Sequence, residues 1–262
     1  MSILSEQLLS LAPRVEERSH SILAELANSI APSEQVTPLL EICHKSLEEG
    51  KRFRAFLAFV GGSLFTHTPI ESLPLDDLGA SLELYQASAL VHDDIIDHAP
   101  TRRGNPSAHA AFSSYHRSTH FRGDSEDFGI SSAILAGDLL FSAAESAMIR
   151  QCEDLSHYRD PVMQLYARMH AEVAIGQFLD IAKVFCLDKS ISQYKAWIAC
   201  KSLTSRSLNI AEYVCNYTII CLPWKNLERI CIGEREKIGL LLGSKAVNVR
   251  AVKTNALNKS LF

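Results

Sequence analysis

The chain has 262 residues, 47% of them hydrophobic, with 26 Lys plus Arg against 30 Asp plus Glu. That length is enough for one large core, and 12 Gly with 9 Pro exclude collagen-like and low-complexity classes. A net charge of −4 gives no global electrostatic reason to bind nucleic acid. No run of 18 apolar residues reads as a transmembrane segment, and Met1 to His20 lacks a basic region followed by an apolar one, so a cytoplasmic protein is expected. The 7 Cys show neither CxxC spacing nor a Cys/His ligand pattern, which leaves a disulfide framework and a zinc site without support.

Through the first 180 positions apolar residues recur at three- and four-residue spacing, and long strand-like alternation is missing. The pattern predicts an all-α domain. Helices are expected near residues 4–30, 34–48, 51–66, 75–97, 131–151 and 161–183, with Pro32, Pro69, Pro74, Pro100, Pro106 and Pro161 between them or at their starts. The polar stretch from Phe112 to Gly129 reads as a surface loop. The composition then flips. Residues 1–181 hold 13 basic and 25 acidic side chains, whereas residues 182–262 hold 13 basic and 5 acidic, with five of the Cys and both Trp. Two regions are therefore expected, a helical domain over 1–181 and a divergent basic tail over 182–262.

The segment Leu82 to Arg103 is an apolar helix that ends in a burst of acid followed by two bases. At 3.6 residues per turn Asp93 and Asp97 stack on one face, Asp94 sits about 100° away, and Gln86 lies two turns back beneath Asp93. Carboxylates one turn apart repel, and a hard cation with oxygen ligands suits them. Mg²⁺ takes one or two carboxylates and fills its shell with water and phosphate oxygens. Arg102 and Arg103 beyond the helix are placed to grip the same phosphate. A solvated acidic helix end is the bland alternative, and the motif alone leaves the two evenly matched. Upstream, Gly50-Lys51-Arg52-Phe53-Arg54 sets Lys51 and Arg54 a turn apart at the start of another apolar helix, where the dipole also favours an anion.

GKRFR at 50–54, ELYQASALVHDDIIDHAPTRRGNPSAH at 83–109, AILAGDLLFSAA at 133–144 and GQFLDI at 176–181 follow in this order. Together they resemble the trans-polyprenyl diphosphate synthases of isoprenoid biosynthesis, over about residues 30–185. The resemblance implies an all-α isoprenoid-synthase-type bundle around a central apolar cavity, a homodimer or a heterodimer with a related synthase, and Mg²⁺-dependent condensation of an allylic diphosphate with isopentenyl diphosphate. It implies that Asp93 and Asp97 are Mg²⁺ ligands, with Asp94 supporting. Arg102 then binds the allylic diphosphate, and Lys51, Arg54 and Arg103 bind isopentenyl diphosphate. Gln86 falls at the family's His-or-Gln position. Gly137, Asp138, Gln177 and Asp180 match further motif positions, although helix–helix hydrogen bonding is nearly as good an account of Asp138. His92 reads as a packed or capping histidine rather than a ligand.

Beyond Asp180 the acidic residues are Asp188, Glu212, Glu228, Glu234 and Glu236, and none forms the family's second DDxxD. Lys201-Ser202 stands where the family has a Lys-Thr pair. The bundle is therefore expected to be incomplete at its C-terminal end. Three explanations are open: a disrupted reading frame, which is favoured, a non-catalytic regulatory or prenyl-binding subunit, and metal ligands supplied from elsewhere. A terpene cyclase also uses an acidic helix and Mg²⁺, but the basic run at 50–54 argues against it, since a cyclase has no second diphosphate to hold.

Overall fold

A computed structural model describes residues 3–30, 34–48, 50–153 and 159–185. The basic third of the chain from residue 186, Lys201 included, lies outside the described residues. Among the described residues seven α-helices follow one another: α1 (Ile3–Ile30), α2 (Thr37–Leu47), α3 (Phe53–Thr66), α4 (Asp76–Ile96), α5 (Ala108–Ser118), α6 (Ser125–Gln151) and α7 (Arg159–Phe185). A two-residue hairpin joins α4 to α5, with β1 (Thr101–Arg102) antiparallel to β2 (Asn105–Pro106).

The α4 helix is the spine. Its buried positions run almost continuously from Leu78 to Ser88, so it packs on several sides at once. Ile22, Leu23, Cys43, Leu47, Leu84, Val91 and Leu140 form the main core between α1, α2, α4 and α6. The side of α6 that meets α4 is built from small residues, with Ala133, Ala136, Ala143, Ala144 and Ala147 fully buried. Small side chains let the two backbones approach closely. At Gly137 a Cβ would run into the His92 ring. His92 is thus a packing residue, as the sequence suggested. By length and composition alone α6 is apolar enough to cross a membrane, with 44% of the apolar window buried inside the protein.

The expected loop at 112–129 is a correction. Most of it is helix: α5 covers Ala108–Ser118, and α6 begins at Ser125, six residues before the expected 131. Ala108, Phe112, Ser113 and His116 are buried at helical spacing, and His116 meets the rings of Phe121 and Phe128 at 5.8 and 5.1 Å. Asp124 caps α6, its carboxylate accepting from the backbone amides of Glu126 (2.8 Å) and Asp127 (2.9 Å). Those two donated hydrogen bonds hold the Asp124 carboxyl below its usual range.

The α5–α6 contact depends on Gly129, where a Cβ would overlap the Ser113 hydroxyl and lie 2.5 Å from the backbone carbonyl of His109. A carbonyl in a helix cannot step aside. Gly129→Ala should therefore destabilise the protein by about 1–3 kcal/mol through overpacking. Urea denaturation followed by circular dichroism measures this, and an unchanged midpoint would show that α5 is free to shift.

Candidate functional site

The acidic end of α4 sits at the negative pole of its own helix. Asp93 and Asp94 occupy the last turn and Asp97 is the C-cap, its amide bonded to the Asp93 carbonyl at 2.8 Å. Carboxylates are disfavoured at this pole and cations favoured. The hairpin supplies one cation. Arg103 (φ 52°) and Gly104 (φ 85°) form its two-residue turn, and left-handed conformations at both positions give the type I′ geometry that matches strand twist. The turn folds Arg102 back onto α4, where Nε lies 2.7 and 2.8 Å from the two Asp94 oxygens and Nη2 is 3.5 Å from Asp93. Asp94 is buried, and its hydrogen bond to Arg102 is the main reason the guanidinium is held above its ordinary range.

Asp93 faces the other way, towards α7. Gln177 donates from Nε2 to its Oδ1 at 2.8 Å. Burial, and then the like charge of Asp97, raise the Asp93 carboxyl above the usual carboxylate range, while Arg102 and the Gln177 hydrogen bond pull it down by less. Asp93 and Asp97 thus share a helix face with negative charge that Arg102 does not balance. Among the described residues no three His, Cys, Asp or Glu side chains converge on one point. The donor set fits a hard cation that takes two carboxylates and completes its shell from water and phosphate, and it does not fit a closed protein cage. Asp180 lies one turn beyond Gln177 on α7, half-buried, and Gln86 is half-buried two turns below Asp93.

The second set of cations lies at the start of α3. The expected helix from residue 51 begins at Phe53 instead, because Arg52 is left-handed (φ 50°, ψ 29°). Lys51 is exposed just before the helix, and Arg54 is half-buried in its first turn. Burial lowers the Arg54 guanidinium from its ordinary value; Glu83 opposes this and Arg103 adds to it. Arg54 and Arg103 are therefore within electrostatic reach of each other, with Nη1 of Arg103 donating to the Glu48 carbonyl at 3.0 Å. A cavity of about 150 Å³ lies between α2, α4, the hairpin and α5, with Lys45, Asp94, Arg102 and Arg103 at its polar side and Ile42 and Val91 among its apolar walls. Sequence reasoning missed Glu83 and Arg52, which are buried and ion-paired at 3.5 Å. A Glu among apolar neighbours on a helix otherwise buried at that level was the available signal.

Two turns below Asp93 and Gln177, aromatic side chains close the space between α4, α6 and α7. His170 stacks on Tyr85 with ring centroids 4.1 Å apart and meets Phe141 at 4.8 Å and Tyr166 at 4.1 Å. The Tyr166 hydroxyl pairs with Ser81 at 2.6 Å. Burial pushes the Tyr85 phenol up to about 12. Tyr85 is thus packed among these rings, about 12 Å along α4 from Asp93.

A protein-family model described as polyprenyl synthetase matches residues 36–218, most of the chain. This chain belongs to the polyprenyl synthetase family. The match runs past Ile181 and takes in Lys201. A short chain isoprenyl diphosphate synthase of Methanocaldococcus jannaschii is 31% identical over 53% of this chain and 36% of its own length. Another, of Methanothermobacter thermautotrophicus, is 26% identical over 73% of this chain and 52% of its own length. The chain thus spans about half or less of the curated relatives it matches. A crystal structure of geranylgeranyl pyrophosphate synthase from Corynebacterium glutamicum, complexed with isoprenyl diphosphate and magnesium, superposes with a TM-score of 0.68 at 30% identity, over 80% of this chain and 61% of the other.

The burial of His170 among these rings makes stability depend on pH. Its Nε2 is buried without a hydrogen-bond partner, and burial lowers its pKa from 6.5 to about 4. The unfolded chain takes up this proton first, so the contribution to stability is complete above about pH 6.5 and drains away as the pH falls towards 4. Thermal melts between pH 7 and pH 4.5 should fall less steeply for His170→Phe than for the unaltered protein. Parallel curves would mean that the imidazole reaches water in the folded state.

Proposed function

We propose that this chain is a trans-prenyltransferase that condenses an allylic diphosphate with isopentenyl diphosphate and releases pyrophosphate. The observation that carries the reading is the pairing of two opposite devices across α4. One is an acidic helix end with uncompensated charge on Asp93 and Asp97, and the other is the cation group Lys51, Arg54 and Arg103. A two-carboxylate site suits a metal-bridged diphosphate, and a predominantly cationic one suits a diphosphate held without metal.

Asp93 and Asp97 would hold Mg²⁺, which supplies charge neutralisation at the departing diphosphate when bound. Arg102 leans on Asp94 in this structure and lies beside Asp93, where it can contribute guanidinium hydrogen bonds to the allylic diphosphate. Gln177 orients the Asp93 carboxylate through its hydrogen bond, and Lys51, Arg54 and Arg103 would anchor the second diphosphate. The allylic C–O bond breaks with its electrons leaving on pyrophosphate. The isopentenyl double bond then forms the new C–C bond to the allylic carbon, and a proton leaves the isopentenyl unit. The reaction needs water kept from the cation, and the packed rings of Tyr85, Phe141, Tyr166 and His170 between α4, α6 and α7 are the apolar side chains placed to do this. A cytoplasmic location is part of the proposal. It is supported by Cys43, a buried free thiol raised to about 12 that bonds the Ala136 carbonyl at 3.7 Å and suits a reducing compartment. So is a dimer with a second copy or a related synthase, supported by Ile130, Ile134 and Leu135 exposed along α6.

A prenyl-diphosphate-binding subunit without turnover is the second reading, favoured by the missing second DDxxD beyond Asp180. Pyrophosphate release from the purified protein supplied with both substrates separates the two.

Asp93→Ala should abolish Mg²⁺-dependent binding of an allylic diphosphate and leave the helical circular dichroism intact. Retained binding would remove Asp93 from the metal site. Lys51→Ala should weaken isopentenyl diphosphate by about 1.5–3 kcal/mol, the worth of a charged contact, with little effect on the allylic substrate; equal losses in calorimetry would argue for a single shared site. In an active assembly, Tyr85→Ala should lengthen the product by one or more five-carbon units, and an unchanged chromatogram would place the limit elsewhere.

A further inference from the structure

Within Gly50–Arg54, the side chain of Arg52 turns inward and is almost completely buried. Its backbone is left-handed (φ 50°), a conformation that side chains other than Gly seldom adopt. The guanidinium holds it there, lying 3.0 Å from Glu16 and 3.5 Å from Glu83 and bonding the Leu47 carbonyl. A Cβ on Gly50 would run into this guanidinium, so Gly50 is required by the way Arg52 is seated. The other Glu83 oxygen accepts from the Ala55 amide, at 3.4 Å, in the first turn of α3. Glu83 therefore touches both the residue before α3 and the first turn of α3, while its own backbone belongs to α4, three residues before Gln86 and ten before Asp93.

Resting on the function proposed above, we propose that Glu83 is a positioning residue. It clamps the start of α3 to α4 and so sets the Lys51 and Arg54 cations at a fixed distance from the carboxylates of Asp93 and Asp97. Two diphosphates that must react with each other need such a fixed spacing, because small errors in the approach of reacting atoms are costly in rate. Charge alone predicts the opposite effect of removing Glu83. A carboxylate beside Arg54 repels a diphosphate, so its loss would tighten binding if electrostatics were all that mattered. Positioning predicts weaker binding, and the sign decides.

The isosteric Glu83→Gln keeps the shape of the side chain and removes its charge, whereas Glu83→Asp keeps the charge and shortens the reach by one methylene. Calorimetry on the full chain with isopentenyl diphosphate, and separately with dimethylallyl diphosphate plus Mg²⁺, should show both variants losing about tenfold or more in affinity for the first ligand. The second ligand should change by less than about twofold. Hydrogen exchange without ligand should quicken at the amides of residues 54–56 and stay unchanged at the end of α4. Tighter isopentenyl diphosphate binding in Glu83→Gln, unaltered affinity in Glu83→Asp, or unaltered exchange at residues 54–56 would each overturn the positioning role. If the unaltered protein binds neither diphosphate, the proposed function fails, and the exchange result alone then supports or overturns the clamp.

Discussion

Three carboxylates at the C-terminal end of α4 occupy the place where aligned peptide dipoles already present negative charge. Left alone, Asp93, Asp94 and Asp97 would fray that turn, and much of the surrounding structure answers them. The type I′ turn at Arg103-Gly104 brings Arg102 onto Asp94. Gln177 crosses from α7 to steady Asp93. What is left over, the shared charge of Asp93 and Asp97, is the part that the proposed function assigns to a cation. The acidic end is thus poorly suited to stability and well suited to binding, a division common where local rules are broken for function.

The faces of α4 separate these tasks. One meets the small-residue side of α6, where Ala136, Gly137 and Ala143 allow a close helix pair. Another carries Asp94 beside the cavity that Val91 and Ile42 help to wall. A third runs from Tyr85 through Gln86 to Asp93, so that an aromatic cluster and a carboxylate share one helix. The separation explains why Asp93 and Asp94, adjacent in sequence, differ in partner: Asp94 is buried against Arg102, and Asp93 looks across to α7.

The acidic burst, the following Arg pair and the long α4 were legible in the sequence because each rests on local spacing. The helix α5 was not, since Ser113, His116 and Arg117 dilute its apolar stripe and the rings that complete it, Phe121 and Phe128, come from after the helix. The GKRFR run was legible as a cation cluster, but which of its bases faces inward depends on Glu16 and Glu83, far away in the chain. Likewise Gln177 was readable as a motif residue, whereas its bond to Asp93 spans 84 positions and belongs to tertiary packing alone.

The hydropathy of α6 has a bearing on how the chain is made. A helix apolar enough for a bilayer has one side, carrying Ala133, Ala136, Leu140 and Ala147, packed into the core that α4 shares. During synthesis α4 leaves the ribosome first, so its partner is waiting when α6 emerges, and the interval in which a greasy segment is uncovered is short. A circular permutant opened in the α4–α5 hairpin would reverse that order, releasing α6 ahead of the helix that shields it and inviting capture by membrane or by another nascent chain.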